Sequence, residues 1–169
     1  MPYCLDTNTF IEAKNRYYGL DFCPAYWDWL DKEASTGQLL CVKPIFDEIV
    51  EGKDELAEWI KARKDDQWLC EVDAQEVQAS YRVVVAYVES RRAHYTDAAI
   101  AKFMSGGDPW LIAYCLAKAH TLVTHERSEP NSKKKVKIPD ICNALGVTWI
   151  SGFEALRQLG AKFVLPKVA

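Results

Sequence analysis

Short apolar runs alternate along this chain with longer stretches whose apolar residues recur at helical spacing, and that alternation limits the fold more than any single motif. Pro2 to Leu5, Leu39 to Val42, Thr121 to Thr124, Val147 to Ile150 and Lys162 to Leu165 read as strands, and Trp68 to Cys70 as either a brief strand or an extended connection. Between them lie helical patterns. One starts near Thr9 and fades near Arg16; a second runs from Pro24 to a stop at Gly37; a third opens at Pro44. Asp54 caps a fourth, Asp73 begins the longest, which runs out near Arg91 and Arg92, and Thr96 with Asp97 begins another that stops at Gly106 and Gly107. Asp108 reads as an N-cap with Pro109 at the first helical position, and Pro139 to Leu145 and Phe153 to Leu159 complete the series. Strands separated by helix-length connections pair in parallel through right-handed crossovers. The expected architecture is therefore α/β: a three-layer α/β/α domain with a mostly parallel sheet of four or five strands, spanning 1–169 as one unit.

Composition excludes several classes. Hydrophobic residues make up 49% and aromatics 12%, including six Trp and eight Tyr, too much apolar surface for a disordered or solvating chain. A formal net charge of −3 means that the surface as a whole does not attract polyanions. Nucleic-acid binding would need a local basic patch, backed by cations at an acidic site. The six cysteines form no CxxC pair and mostly sit inside apolar runs, which argues against zinc and against a disulfide framework. The N-terminus lacks a signal-peptide pattern and no run is long and apolar enough to span a membrane. A cytoplasmic protein without membrane association is expected.

Asp6 falls where the first strand hands over to a helix, and Glu126 just past the Thr121 to Thr124 strand. Ligands of open α/β sheets bind outside the carboxyl ends of the strands. Glu48, early in the helix after the second strand, and Asp108, at a helix start, would reach the same edge, with Asp140 as a fifth candidate. Crowded carboxylates raise one another's pKa, so such a cluster is tolerable at neutral pH only with protons or metal among them. Oxygen ligands favour Mg²⁺ or Mn²⁺. A hard cation with open positions activates water and offsets charge on a phosphate, which is phosphodiesterase chemistry.

The pieces Leu5-Asp6-Thr7-Asn8, Asp47-Glu48-Ile49, Gly107-Asp108-Pro109-Trp110-Leu111-Ile112-Ala113 and Val123-Thr124-His125-Glu126 resemble, in order and spacing, the successive motifs of PIN-domain nucleases. The similarity extends over nearly all of the chain and is greatest to the PIN-like DUF4411 family, which resembles the VapC-type toxin ribonucleases of toxin-antitoxin pairs. The resemblance implies a PIN-like parallel-sheet fold, an Mg²⁺- or Mn²⁺-dependent endoribonuclease acting on RNA, an antitoxin protein as partner, and pairing into homodimers. By the same resemblance Asp6, Glu48 and Asp108 are the core metal-site acids and Thr124 matches the motif threonine. Glu126 stands where the wider family commonly has Asp, and its longer side chain leaves open whether it ligates directly, through water or not at all. Thr7 and Asn8 either hold a metal-bound water or a phosphate, or cap the first helix, and Asp140 is a second-shell candidate.

Lys133, Lys134, Lys135 and Lys137 lie in a polar loop of the kind that stays mobile; they and Arg91 and Arg92 are candidate phosphate contacts, with a solvated surface as the alternative. His125 is either structural or, beside Glu126, a metal ligand or proton shuttle. Most of the tryptophans are expected in the core. Two rivals to the nuclease reading are a PIN-like RNA- or protein-binding module that has lost catalysis and a phosphatase with an aspartyl nucleophile. The second of these usually needs another Asp two residues on, where this chain has Asn8.

Overall fold

The computed structural model describes residues 1–164. Its first strand, β1 (Tyr3–Leu5), is followed by α1 (Thr7–Glu12), a π-helical turn (Ala13–Tyr17) and α2 (Pro24–Ser35). Then come β2 (Leu39–Val42), α3 (Lys43–Glu51), α4 (Glu55–Lys61) and β3 (Leu69–Cys70). Three helices follow: α5 (Gln75–Ser90), α6 (Asp97–Met104) and α7 (Asp108–Lys118). The chain closes with β4 (Thr121–Val123), α8 (Ile138–Leu145), β5 (Trp149–Ile150) and α9 (Gly152–Gln158).

The strands form a five-stranded sheet in the order β3-β2-β1-β4-β5, and every pairing is parallel. Register places Tyr3 opposite Leu39 on one side and Leu5 opposite Val123 on the other. The first two crossovers step towards β3 and the last two towards β5. Right-handedness therefore puts α1 to α4 on one face and α5 to α8 on the other, giving the three layers. The direction of winding reverses at β1, so the crevice beyond the carboxyl ends of β1 and β4 is the switch point where doubly wound sheets take ligands.

Burial follows from that layering. Every residue of β2 and of β4 is buried, as expected of strands covered on both faces. Under α1 the core is aromatic: Phe10, fully buried, lies 6.0 Å from Trp68 and 6.4 Å from Trp59, whose ring meets Trp27 at 4.9 Å. Opposite, α7 packs against α5, with Leu111 and Ile112 of the one and Val77, Val84 and Val88 of the other all buried.

Four local expectations are corrected. Helix α1 starts at Thr7 rather than Thr9, with Asp6 as its N-cap; after Glu12 it widens into a π turn that ends at Tyr17, close to the expected end near Arg16, and the Tyr18 N–H reaches the Ala13 carbonyl at 2.6 Å. Asp108 is the first residue of α7 and Gly107 is its N-cap, which moves the Asp108 carboxylate one position into the helix. Residues 162–164 form no strand, and Leu165 lies outside the described residues. The apolar Phe163 instead lays its ring against Tyr18, Tyr26 and Trp29. Finally, the lysine-rich loop is tied down: Thr96 N–H donates to the Lys133 carbonyl at 2.9 Å, His94 Nε2 meets the Ser132 carbonyl at 3.1 Å, and Asp140 accepts from Ser128 Oγ and Glu129 N–H.

Because Phe10 joins the helix behind Asp6 to the aromatic layer, Phe10→Ala is expected to cost about 3–5 kcal/mol in urea unfolding, as for other buried Phe truncations. A loss below about 1 kcal/mol would mean that the layer does not hold this end of the sheet.

Candidate functional site

The site begins with one buried carboxylate. Asp6 follows the central strand directly: its N–H donates to the Val123 carbonyl at 3.0 Å, which pins the backbone, and its side chain is 0% exposed. Oδ2 accepts from Thr124 Oγ1 at 2.8 Å, whereas Oδ1 is buried with no hydrogen-bond partner. Buried oxygens are seldom left so, since the lost hydration is not returned.

Three further acids surround it. Asp6, Glu48, Asp108 and Glu126 line a cleft of about 350 Å³ at the switch point, together with Thr7, Asn8, Lys102 and the loop residues Lys134 and Lys135. Asp108 reaches it from the start of α7, Glu48 from α3, and Glu126 from the loop after β4. Asp6 and Asp108 both stand at helix starts, where unsatisfied N–H groups favour negative charge.

The electrostatics record the crowding. Burial pushes the Asp6 carboxyl up to about 7; the Thr124 hydroxyl opposes the rise and the Glu126 and Glu48 carboxylates add to it. Burial likewise pushes Asp108 up to about 8, reinforced by Asp6, Glu48 and Glu126, with no donor among the described residues to offset it. Both shifts run opposite to those of carboxylates in ion pairs, and a cation in the cleft would reverse them.

Glu48 and Glu126 are held by protein donors. Thr7 Oγ1 donates to Glu48 Oε2 at 2.6 Å and the Gly107 N–H donates to Oε1 at 2.6 Å. Ile138 N–H donates to Glu126 Oε2 at 2.9 Å, and Lys137 Nζ lies 3.6 Å from Oε1. With these oxygens engaged, no three His, Cys, Asp or Glu side chains among the described residues are arranged as a ready chelate. The donor chemistry nevertheless fits a hard divalent ion: all oxygen, two carboxyls destabilised in their charged form, and one buried oxygen without a partner.

Of the sequence candidates, Asp6, Thr7, Asn8, Glu48, Asp108 and Glu126 share the cleft and Thr124 bonds to Asp6. Thr7 does not cap α1 but binds Glu48. Asp140 stands apart in the first turn of α8, where it anchors the loop through Ser128 and Glu129. Arg92 pairs with Glu89 and Asp97 at the far end of α5. Two contributors are absent from the sequence reading as site residues. Gly107 lends its N–H to Glu48, and a Cβ there would stand 2.7 Å from Ile45 Cδ1 and 3.2 Å from the Pro44 carbonyl carbon. In the sequence the adjacent glycines read as a helix stop and Gly107 as the start of the Asp108 motif, which gave its place but not its bond to Glu48. Lys102, on α6, carried no signal.

Comparison of the sequence with known proteins places the chain in a family. The profile described as domain of unknown function DUF4411 matches residues 3–163. The chain belongs to the DUF4411 family. No curated protein matches the sequence. Among solved structures, this DUF4411 chain is similar to VapBC2 from Rickettsia felis bound to a DNA fragment from its promoter, with a TM-score of 0.55 and 15% identity over 89% of this chain and 98% of that one. FitAcB from Neisseria gonorrhoeae aligns with a TM-score of 0.49 and 16% identity over 87% of this chain and 95% of that one. The first likeness bears out the three-layer, PIN-like α/β fold of the DUF4411 chain. Among the described residues no helix is long and apolar enough to cross a membrane.

The raised carboxyls give a pH dependence with a definite sign. A group whose folded pKa exceeds its unfolded value of about 4 contributes stability that is complete below that value and lost as pH rises through the folded one. In chelator, the melting temperature is therefore expected to fall between about pH 5 and pH 8.5. Asp6→Asn is expected to raise it by several degrees at pH 8, with little change at pH 5. A melting temperature that stays flat or climbs over that interval in the parent protein contradicts the assigned burial.

Proposed function

We propose that this chain is a divalent-metal-dependent endoribonuclease, the toxin half of a toxin-antitoxin pair. The observation that carries the reading is the buried, unpartnered oxygen of Asp6 among three other acids at the sheet's switch point. Asp6 and Asp108 would hold the ion, Mg²⁺ or Mn²⁺, with Glu48 and Glu126 completing the site directly or through water. An ion bound there supplies an acidified water nucleophile and positive charge against the scissile phosphate.

The chain's own residues do the rest. Thr124 fixes Asp6 through Oδ2 and leaves Oδ1 without a hydrogen-bond partner. Thr7 and Gly107 hold Glu48 in one orientation, which saves the entropy of ordering it at the moment of reaction. Lys102, Lys134 and Lys135 rim the cleft and supply the positive charge that the net acidic surface lacks, so phosphate oxygens have partners beside the acids. RNA as the substrate, an antitoxin as partner and homodimer formation rest on the motif resemblance. VapBC2, a similar fold, was crystallised as a complex with promoter DNA, which agrees with such a partnership.

One observation favours a second reading. The engaged oxygens of Glu48 and Glu126 are also what a PIN-like RNA- or protein-binding module without catalysis would retain.

A single experiment separates the two. Purified protein incubated with RNA and Mn²⁺ or Mg²⁺ is expected to cut it, chelator to stop the reaction, and Asp6→Asn to reduce cleavage to background while circular dichroism stays that of the parent. Folded Asp6→Asn protein that cuts at the parental rate refutes the assignment. Failure of Mn²⁺ to give a calorimetric binding signal would favour the module.

A further inference from the structure

A groove leads out of the acid cleft and ends in an aromatic pocket that the reaction just described does not use. Next to the cleft, and sharing Asn8, Glu126 and Lys135 with it, lies a hollow of about 340 Å³ that includes His125 and Lys137. Beyond that, and sharing His125, Glu126 and Arg127, is a pocket of about 430 Å³. Its walls include Tyr17, His125, Phe153 and Arg16. Thr124, which bonds Asp6, also lines this last pocket, so its inner end lies one side chain from the acids.

The three rings are assembled deliberately by the fold. Tyr17 meets Phe153 at 5.1 Å and His125 at 5.9 Å between centroids, and His125 meets Phe153 at 5.4 Å. The π-helical turn ends at Tyr17 and carries its ring to the surface, 39% exposed. The His125 imidazole sits where a side chain on the first residue of α9 would be: a Cβ at Gly152 would come within 2.8 Å of Nε2. Along the groove run Lys135, Lys137 and Arg127, with Arg16 at its end; the acids Glu12, Glu126 and Glu129 share its walls, and Lys137 Nζ lies 3.6 Å from Glu126 and 3.8 Å from Glu129. Neither Arg16 nor Arg127 has an ion-pair partner among the described residues.

Cations that track a backbone and rings that accept a base face are how single-stranded nucleic acid is held without reading its sequence by hydrogen bonds. On the reading above, we infer that this groove carries the unpaired RNA strand on one side of the scissile phosphate, and that the base of a flanking nucleotide is seated against Tyr17, His125 and Phe153. Three aromatic rings stand on one side of the cut, whereas the ring that lines the acid cleft itself, Phe103, is buried, and this makes the site one-sided. The enzyme then demands a splayed base at a fixed distance from the bond it cuts, and duplex RNA, whose bases stay stacked, fits it poorly.

The test combines binding and cleavage. Labelled single-stranded RNA is titrated by fluorescence anisotropy against Asp6→Asn protein, and against the same protein with Tyr17→Leu or Phe153→Leu added; the leucines keep apolar bulk and remove the ring. Binding is expected to weaken about five- to a hundredfold, the range for one lost base stack. In the cleaving protein the same substitutions are expected to raise KM with kcat nearly unchanged, and Tyr17→Phe to restore it. An RNA with one abasic nucleotide beside the cleavage point is expected to bind the parent more weakly but to be indifferent to Tyr17→Leu. Folded leucine variants that bind and cut like the parent overturn the inference while leaving the nuclease reading intact. RNA binding that depends on Tyr17 in a protein that never cuts keeps the inference and removes the reading. Absence of any RNA binding overturns both.

Discussion

A carboxylate taken out of water without a counter-charge is costly, and the architecture around Asp6 is arranged so that it cannot escape that cost. Its backbone is fixed to β4 by the hydrogen bond to Val123, its Oδ2 is held by Thr124, and its neighbours in the cleft are three more acids. Partial relief comes from the start of α1, whose N–H groups face it. Protonation or a cation must supply the remainder. A protein that keeps this arrangement gives up some stability at a place where positive charge would be favoured, the usual trade at functional centres.

The topology explains why these particular acids meet. Reversal of winding at β1 opens a crevice between the ends of β1 and β4, and whatever follows those strands points into it. That accounts for Asp6 and Glu126. Glu48 and Asp108 arrive from helices on opposite faces of the sheet, and the contact that joins them is made by backbone: Gly107 fits against Pro44 and Ile45 only because it has no side chain, and it bonds Glu48 as it begins the helix that presents Asp108. Packing of α3 against α7 and assembly of the acid cluster are thus one event.

Much of this was legible in the sequence, for physical reasons. β2 and β4 are buried on both faces and so read as unbroken apolar runs; Asp6, Asp108 and Glu126 could be placed because each follows a strand or opens a helix, and Glu48, inside α3, by its motif context. β3 is only Leu69 and Cys70, too short for periodicity to decide. Phe163 misled for a related reason: an apolar residue near a chain end serves equally for a strand or for covering Tyr18, Tyr26 and Trp29. The loop from Arg127 to Lys137 is polar in composition, yet its order comes from partners distant in sequence, Thr96 and His94, which no local pattern reveals. Lys102 and the Tyr17–His125–Phe153 cluster were hidden likewise, since only the fold brings Lys102 into the cleft of Asp6 and the three rings together.

The central claim is that the cluster of Asp6, Glu48, Asp108 and Glu126 exists to hold a divalent cation. Crystals grown with millimolar Mn²⁺ and measured for anomalous scattering test it most directly. The account predicts a peak within bonding distance of Asp6 Oδ1 and the Asp108 carboxylate, with Glu48 or Glu126 completing the coordination. A well-ordered cleft with no anomalous density among the four acids would contradict it.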